Sequence, residues 1–470
     1  MRADLDSGAA TGASARASAG TRNAPAAKSV TANAPSKVNL VLQASAKGAD
    51  GYHQLATIFE ALSLRETVRC TAATVTSILR ENSSEALNED ATVAGLADSA
   101  ANSRQSNSRQ PAEGQPTKGQ STEDLEENEI VAALTTTAYL PDGQIDRTAT
   151  EIMREVPPSQ HLAAKAAQLL ADYAREQHLG RVVPVTIEVH KRVPIAGGMA
   201  GGSADAAATL VALNELWQLR LSAQALEQQA RKLGADVPAC LAGGICLGQG
   251  RGDHMTLLTA GHSSPSTGND GTKQTTDMPD LRRSSVHWWV LAIPTEGLST
   301  PSVFQEFDRL EAGRAELSLS PVTLQSVSGS PAEVAKLLDN DLQAAALSLR
   351  PELTELGQAA LQAGALGWTV SGSGPTIVAL AADRESAERI QRALETHVVD
   401  NPPAGSVDRL AKTLTENAET SSRTEANSQK GARETRPLPA NLDSKLKTVV
   451  TAWGPALGAK IEKIEYSAGN

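Results

Sequence analysis

Apolar and polar residues alternate along two segments of this chain, which is the pattern of β-strands with one buried face. The first segment covers residues 38–42 and the second covers residues 183–189. Beyond a glycine-rich stretch, the apolar positions of residues 204–217 change to helical spacing. The pattern therefore predicts a strand, a glycine-rich loop and a helix in direct succession.

The same periodicities predict helices and strands over most of the chain. A turn at Asp50-Gly51 precedes an apolar segment through Ile58 and Leu62. Predicted helices lie at residues 161–177, 223–233, 332–349, 352–363 and 384–396, and predicted strands lie at residues 287–293, 367–370 and, as the last strand, 446–453. Because helices and strands follow one another without a repeat, the fold class is α+β, with two sandwich domains at residues 29–260 and 285–465.

Three polar segments interrupt these elements, at residues 78–130, 261–284 and 400–440. They are rich in Ser, Thr, Asn, Gln and acidic residues and contain few large apolar ones. Such segments bury too little apolar surface to offset the entropy of ordering, so we predict disordered surface insertions. Residues 1–28 lack the apolar core of a secretory signal, and we expect a disordered leader there.

Composition excludes several classes of protein. The 470-residue chain carries 43 Lys and Arg against 54 Asp and Glu, a formal net charge of −11, which provides no basic stripe for nucleic acid. Cys70, Cys240 and Cys246 form no C-x-x-C pair and favour free thiols in a reducing compartment. No apolar run is long enough to span a bilayer. We therefore expect a cytoplasmic protein without a nucleic-acid or membrane partner, and the partners of the insertions stay unspecified.

The loop Val193–Ser203 has the composition of a phosphate-binding loop. Glycines let the backbone approach a polyphosphate, and the following helix directs N–H groups and its positive end at an anion. A P-loop is excluded because no lysine follows the last glycine, and the glycine spacing does not match the dinucleotide fingerprint G-x-G-x-x-G. The structural alternative is a glycine-rich turn that only lets the helix pack closely on a sheet.

Three polar residues elsewhere are candidates for chemistry. Lys37 and Asn39 project from the same face of the first strand, which suits phosphate oxygens or a polar substrate. Taken alone, that segment is more simply interpreted as a solvated strand face. Asp236, two residues before Pro238, is either the N-cap of a helix or a general base for a hydroxyl nucleophile.

Two further segments have the composition of ligand-binding turns. Ser371-Gly372-Ser373-Gly374 is either a tight hairpin or a second loop that closes over phosphates. Tyr52 and His53 directly follow a turn signal, and their rings could stack on and hydrogen-bond a ligand's ring.

Taken together, these segments resemble the small-molecule kinase superfamily that includes galactokinase, homoserine kinase, mevalonate kinase and phosphomevalonate kinase. That superfamily has an N-terminal strand with a lysine, a central glycine-rich ATP loop and a C-terminal Gly/Ser loop. Within it, Ala34–Leu40, Ala49–His53 and Leu233–Pro238 resemble the 4-diphosphocytidyl-2-C-methyl-D-erythritol kinases. The resemblance covers the chain outside the leader and the insertions. It implies an N-terminal ribosomal-protein-S5-like α/β sandwich and a C-terminal ferredoxin-like α/β sandwich.

The resemblance also implies an activity and a set of site residues. The activity is ATP-dependent phosphorylation of the 2-hydroxyl of 4-diphosphocytidyl-2-C-methyl-D-erythritol, a small molecule with a cytidine diphosphate group, in the methylerythritol phosphate pathway to isoprenoids. Asp236 and Lys37 match the catalytic pair, and Ser371, Gly372, Ser373 and Gly374 match the loop near the phosphates. The ATP-binding set is Pro194, Ala196, Gly197, Gly198, Met199, Ala200, Gly201, Gly202 and Ser203, and the substrate-binding set is Asn39, Tyr52, His53, Phe59 and Phe304.

Mg²⁺ is expected to bridge the β- and γ-phosphates of ATP, with Ser203 as the one candidate side-chain ligand. The insertions at residues 78–130 and 400–440 are longer than the family pattern. A sister kinase acting on mevalonate or homoserine is the nearest alternative, but such substrates have no base for Tyr52 and His53 to hold. A non-catalytic scaffold would predict the loss of Lys37 or Asp236, and both residues are present.

Overall fold

The computed structural model of the protein describes residues 27–73, 130–261, 285–396 and 446–466. The predicted leader and the three predicted insertions lie outside the described residues, apart from their end residues. No helix in the described ranges is long and apolar enough to cross a membrane.

Within the described residues, the first sheet contains eight strands. They are β1 (Ala27–Ala44), β2 (Leu55–Ala72), β3 (Val131–Ala138), β4 (Val185–Lys191), β5 (Ile245–Gln249), β6 (His254–Thr259), β8 (Asp339–Asn340) and β12 (Lys460–Tyr466). The main order is β12-β1-β2-β4-β3, and β5 pairs with β2 and β6 while β8 pairs with β1. Neighbouring strands of this sheet are antiparallel, except that β3 pairs with β4 and β1 pairs with β8 in parallel.

The second sheet is antiparallel and has the order β11-β7-β10-β9. Its strands are β7 (His287–Pro294), β9 (Gly367–Val370), β10 (Ile377–Ala381) and β11 (Leu446–Gly454). The predicted strand at residues 446–453 is confirmed as β11, but it is not the last strand. The chain continues into β12, which returns to the first sheet and pairs with β1, so the final residues contribute to both sheets. The predicted domain boundaries stay a prediction.

Helices cover both sheets. They are α1 (Arg147–Arg154), α2 (Leu162–Glu176), α3 (Gly201–Leu216), α4 (Ala223–Leu233), α5 (Val237–Ala242), α6 (Thr300–Arg309), α7 (Pro321–Ser326), α8 (Pro331–Val334), α9 (Gln343–Leu349), α10 (Glu352–Gln362) and α11 (Arg384–Glu395), with short 3-10 turns at Pro158–Gln160 and Ala335–Leu337. The predictions at residues 161–177, 223–233, 352–363 and 384–396 are confirmed by α2, α4, α10 and α11.

The predicted helix at residues 332–349 is wrong, because the chain there breaks into α8, a 3-10 turn, β8 and α9. Asn340 explains the interruption. Its side-chain amide donates to the carbonyl oxygens of Val370 and Gly372, both at 2.8 Å. These bonds hold the segment extended beside β1 and attach it to the Gly/Ser segment after β9.

Alanine determines how closely α3 approaches the first sheet. The buried face of α3 consists of five residues that pack in one apolar cluster with residues of β1 and α2. They are Ala204, Ala206, Ala207, Ala208 and Leu210, and all are fully buried. Small side chains let the helix pack close to the strands, which fixes the position of its first turn. The helix N-terminus is therefore held rigidly beside β1.

A buried polar cluster joins the two sheets. Glu60 of β2 accepts hydrogen bonds from the His287 ring at 2.7 Å and from the Trp289 indole at 3.0 Å, both on β7. The second ring nitrogen of His287 lies 3.1 Å from the carbonyl oxygen of Gly329. Burial lowers the pKa of His287, but Glu60 and the Gly329 carbonyl raise it by more, and an acceptor at each ring nitrogen favours the imidazolium form.

Candidate active site

A cavity of about 540 Å³ lies where β1, the loop before α3 and the Gly/Ser hairpin meet. Its wall contains Lys37 and Asn39, all residues from Pro194 to Ser203, and Gly234 to Asp236. Phe304 and residues 372–374 contribute from the second sheet's side. The structure therefore brings most of the sequence-predicted site residues to one cavity.

The glycine-rich loop leads directly into α3. Ala196, Gly198 and Ala200 have φ values of 54°, 75° and 62°, so the backbone reverses repeatedly before the helix. Ala200 is the N-cap and supplies no side-chain cap bond, so Ser203 lies in the first helical turn, on the cavity wall, and is not the cap. The loop leaves the helix N-terminus available to an anion, as the sequence predicts for a phosphate site.

The second Gly/Ser segment is both a hairpin and a neighbour of this loop. Residues 371–376 connect β9 to β10, and the amide of Ser371 donates to Thr376 O at 2.9 Å. The Ser371 hydroxyl donates to Gly198 O at 3.1 Å. A Cβ on Gly198 would lie 2.1 Å from Ser371 O, so only glycine fits where the two loops touch. The hairpin alternative is therefore confirmed, and closure of this segment over phosphates stays a prediction.

Lys37 and Asp236 approach each other across the cavity floor. The Lys37 ammonium lies 3.6 Å from Asp236 Oδ2 and donates to Asn39 Oδ1 at 2.9 Å. Lys37 and Asn39 are buried, which excludes the solvated strand face. Asp236 occupies the N-cap position of α5 but makes no side-chain capping bond. Its carboxylate, one third exposed, is therefore directed to the lysine instead of to the helix.

Asn39 and Phe59 complete the surroundings of this lysine. The Asn39 amide donates to Thr57 Oγ1 at 2.8 Å, and that hydroxyl donates to Val41 O at 2.7 Å. These two hydrogen bonds fix the Asn39 amide so that its oxygen faces Lys37. The Phe59 ring lies 5.3 Å from the ammonium, which places an aromatic face at the same end of the cavity.

The predicted aromatic residues divide into two groups. His53 stacks on Phe304 with 4.8 Å between ring centroids, and its Nδ1 donates to Ser45 O at 2.9 Å. The His53 Nε2 lies 3.5 Å from Asp308 Oδ1. Tyr52 is 38% exposed at the rim, whereas Phe59 lies at the lysine end. His53 and Tyr52 are next to the cavity but are not among the residues that line it.

A buried charge cluster that the sequence did not predict lies at the cavity wall. The Lys191 ammonium donates to Glu66 Oε1 at 2.8 Å and to Asp205 Oδ2 at 2.7 Å. Burial raises the pKa of both carboxyl groups, whereas the two carboxylates raise the pKa of Lys191 against the effect of burial. Asp205 Oδ1 is buried without a hydrogen-bond partner among the described residues. Nothing in the strand periodicity marks these three residues as neighbours.

Two other cavity residues were also missed. His161 is buried at the N-cap of α2, and burial together with Lys191 lowers its pKa to about 4, so the ring is neutral. Arg251 lies in the turn between β5 and β6 and is half-exposed. A basic residue between two glycines, Gly250 and Gly252, is the one sequence signal that could have pointed to it.

Family comparisons agree with this architecture. The profile of the GHMP kinases N terminal domain matches residues 161–244, and that of the GHMP kinases C terminal domain matches residues 323–400. Fold and site therefore define a two-domain small-molecule kinase of the GHMP class, which confirms the predicted fold class.

Individual relatives narrow the class further. The chain is 38% identical to the 4-diphosphocytidyl-2-C-methyl-D-erythritol kinase of Rhodococcus jostii strain RHA1, over 78% of this chain and 88% of that protein. It is 36% identical to the kinase of the same name from Mycolicibacterium smegmatis, over 76% and 84%. The chain belongs to the 4-diphosphocytidyl-2-C-methyl-D-erythritol kinase family. A crystal structure of a 4-(cytidine 5'-diphospho)-2C-methyl-D-erythritol kinase aligns over 78% of this chain and 95% of its own, with 24% identity and a TM-score of 0.47.

Proposed function

We propose that the protein transfers the γ-phosphoryl group of ATP to the 2-hydroxyl of 4-diphosphocytidyl-2-C-methyl-D-erythritol. The observation that carries the proposal is the Lys37–Asp236 pair, 3.6 Å apart in a cavity that the glycine-rich loop also lines. A carboxylate, an ammonium and a phosphate cradle at one place are what phosphoryl transfer to an alcohol requires. The family relationship supports the choice of substrate.

In the proposed step, Asp236 accepts the proton of the substrate hydroxyl. The hydroxyl oxygen forms a bond to the γ-phosphorus as the bond from that phosphorus to the bridging oxygen breaks, and ADP leaves. Lys37 stabilises the charge that develops on the transferred group, and Asn39 holds the lysine in place through the bond at 2.9 Å. The resemblance implies that Phe59 belongs to the aromatic clamp around the base, but because its ring lies beside Lys37 we assign it to the methylerythritol end of the substrate.

ATP is proposed to lie along the loop from Pro194 to Ser203, with its phosphates at the N-terminus of α3. Mg²⁺ fits this wall, because oxygen ligands suit it and the wall contains both the Ser203 hydroxyl and Asp205, whose Oδ1 is buried without a hydrogen-bond partner among the described residues. Those two residues would hold the ion, which neutralises charge on the β- and γ-phosphates. Among the described residues no group of three His, Cys, Asp or Glu side chains forms a metal site by itself.

The cytosine end is assigned to Tyr52, His53 and Phe304. Tyr52 offers a partly exposed ring for stacking, and the His53–Phe304 stack forms a second aromatic surface. Because His53 Nδ1 is bonded to Ser45 O, only its Nε2 is left to bond a base. Base recognition by Nε2 therefore has to compete with Asp308.

The test is ADP release with ATP, Mg²⁺ and the cytidylated substrate, run beside mevalonate and homoserine. Asp236→Asn should bind ATP normally and lose about 10³-fold or more in turnover, because it cannot accept the proton. Asp172→Asn, an exposed carboxylate on α2, is the matched control and should keep full activity. Release with mevalonate or homoserine alone would overturn the substrate, and near-normal turnover of Asp236→Asn would overturn its role.

A further inference from the structure

Arg251 holds a defined position at the rim of the cavity. It stands between Gly250 and Gly252, with φ values of 71° and 88°, in the turn that joins β5 to β6. Its guanidinium carbon lies 3.8 Å from the centroid of the Tyr52 ring, and the residue lines the cavity. The side chain is therefore stacked on the ring assigned to the cytosine.

The same turn also lies near the opposite end of the proposed substrate site. A Cβ on Gly252 would lie 3.8 Å from the Cβ of Ala235, the residue before Asp236. Arg251 is thus placed between the ring assigned to the base and the carboxylate assigned to the reacting hydroxyl. In a cytidine diphosphate substrate, the two phosphates occupy the same intermediate position between base and reacting carbon.

The other cations that line the cavity are less available to bind a phosphate than Arg251 is. Of the described residues that line the cavity, the cations are Lys37, Lys191 and Arg251. Lys37 is bonded within the catalytic pair, and Lys191 is held between two buried carboxylates. Among the described residues, Arg251 forms its ion pair with the exposed Asp50 at 3.8 Å, and such surface pairs hold weakly. It is the lining cation that is most easily redirected to an anion.

We propose that Arg251 binds the diphosphate of the cytidylated substrate, an inference that rests on the proposed function. Arg251 would thereby distinguish this substrate from substrates without phosphates between the base and the acceptor hydroxyl. The planar guanidinium can donate two parallel hydrogen bonds to phosphate oxygens, and it carries a permanent charge. The stack on Tyr52 holds the guanidinium in place before binding, which lowers the entropy lost when it engages the phosphates.

Arg251→Gln and Arg251→Lys test this proposal against a role in merely ordering Tyr52. The matched control is Arg384→Gln, because Arg384 also lies over an aromatic ring, that of Trp288 at 5.7 Å, but on α11 outside the cavity. The measurements are KM and kcat for ATP and for the cytidylated substrate, and calorimetric binding of cytidine 5′-diphosphate and of cytidine.

We expect Arg251→Gln to raise the substrate KM by about 10- to 100-fold, the effect of losing hydrogen bonds from a charged donor, with kcat and the KM for ATP nearly unchanged. Binding of cytidine diphosphate should weaken by the same factor while binding of cytidine is kept, and Arg251→Lys should lose less. Equal weakening of cytidine diphosphate and cytidine binding, or a substrate KM like that of Arg384→Gln, overturns the proposal. Wild-type protein that does not turn over the cytidylated substrate overturns the proposed function, and this inference with it.

Discussion

Replacement of Gly198 by alanine tests whether the two glycine-rich loops must touch. Gly198 has a φ of 75°, and an added Cβ would lie 2.1 Å from Ser371 O, where ordinary contact begins at 3.4 Å. One backbone segment must therefore move by 1.3 Å (3.4 minus 2.1). Ser371 O already accepts a hydrogen bond from the Gly374 amide at 2.7 Å, so its position is constrained.

Two effects should lower the free energy of unfolding of Gly198→Ala. A left-handed backbone costs an alanine about 1–2 kcal/mol, and forcing an extra carbon into a packed contact costs about 1–3 kcal/mol. The free energy of unfolding should therefore fall by about 2–5 kcal/mol. Gly143→Ala separates the two costs, because Gly143 has a φ of 87° with no atom within 4 Å of the added carbon, and it lies away from the cavity. It should lose only about 1–2 kcal/mol.

The assays are urea unfolding and steady-state ADP release. Displacement of the loop by about 1 Å should lower kcat/KM for ATP by roughly 100-fold in Gly198→Ala and leave it unchanged in Gly143→Ala. If the two variants lose the same stability and both keep their ATP kinetics, the loops do not need this contact and the reasoning is refuted.

Two other predictions concern buried charges. Glu60 raises the pKa of His287, so the stability that this pair contributes is complete below about pH 6.5, the unfolded value, and is lost as pH rises through the raised pKa. His287→Gln should lower the free energy of unfolding by about 3 kcal/mol at pH 6 and by less at pH 9. Thermal unfolding of both proteins across that pH range would measure the difference. A difference that does not change with pH would contradict the imidazolium assignment. Lys191→Met leaves Glu66 and Asp205 buried without a cation and should cost about 3–5 kcal/mol at pH 8. The loss should shrink as pH falls toward 5, because burial raises the pKa of both carboxyl groups and so favours their neutral forms; the same loss at both pH values would contradict it.

Local elements were predictable from the sequence because their signals are local. Alternation over residues 183–189 and helical spacing in α2, α4 and α10 depend only on near neighbours, and those elements are confirmed. The helix predicted at residues 332–349 failed for the opposite reason. Asn340 is extended because it bonds carbonyl groups near residue 370, and no near neighbour reveals that partner.

The residues of the candidate site also divide into those that the sequence could predict and those that it could not. The glycine-rich loop, Lys37 and Asp236 stand out in the sequence because unusual residue types cluster there or match a family pattern. Sequence reasoning could not give the Lys191 cluster or the position of Arg251, since each depends on segments that meet only after folding. A charged residue in a strand or turn has the same local pattern whether its partner is water or a buried carboxylate.

By itself, then, the sequence determined most of the helices and strands, the position of the glycine-rich loop and the kinase family. The tertiary structure decided that Lys37 and Asn39 are buried, that the Gly/Ser hairpin closes on the loop at Gly198, and that β12 returns to the first sheet. The physical reason is that backbone preference and periodicity are set within a few residues, whereas desolvation and charge pairing depend on which distant segment lies alongside.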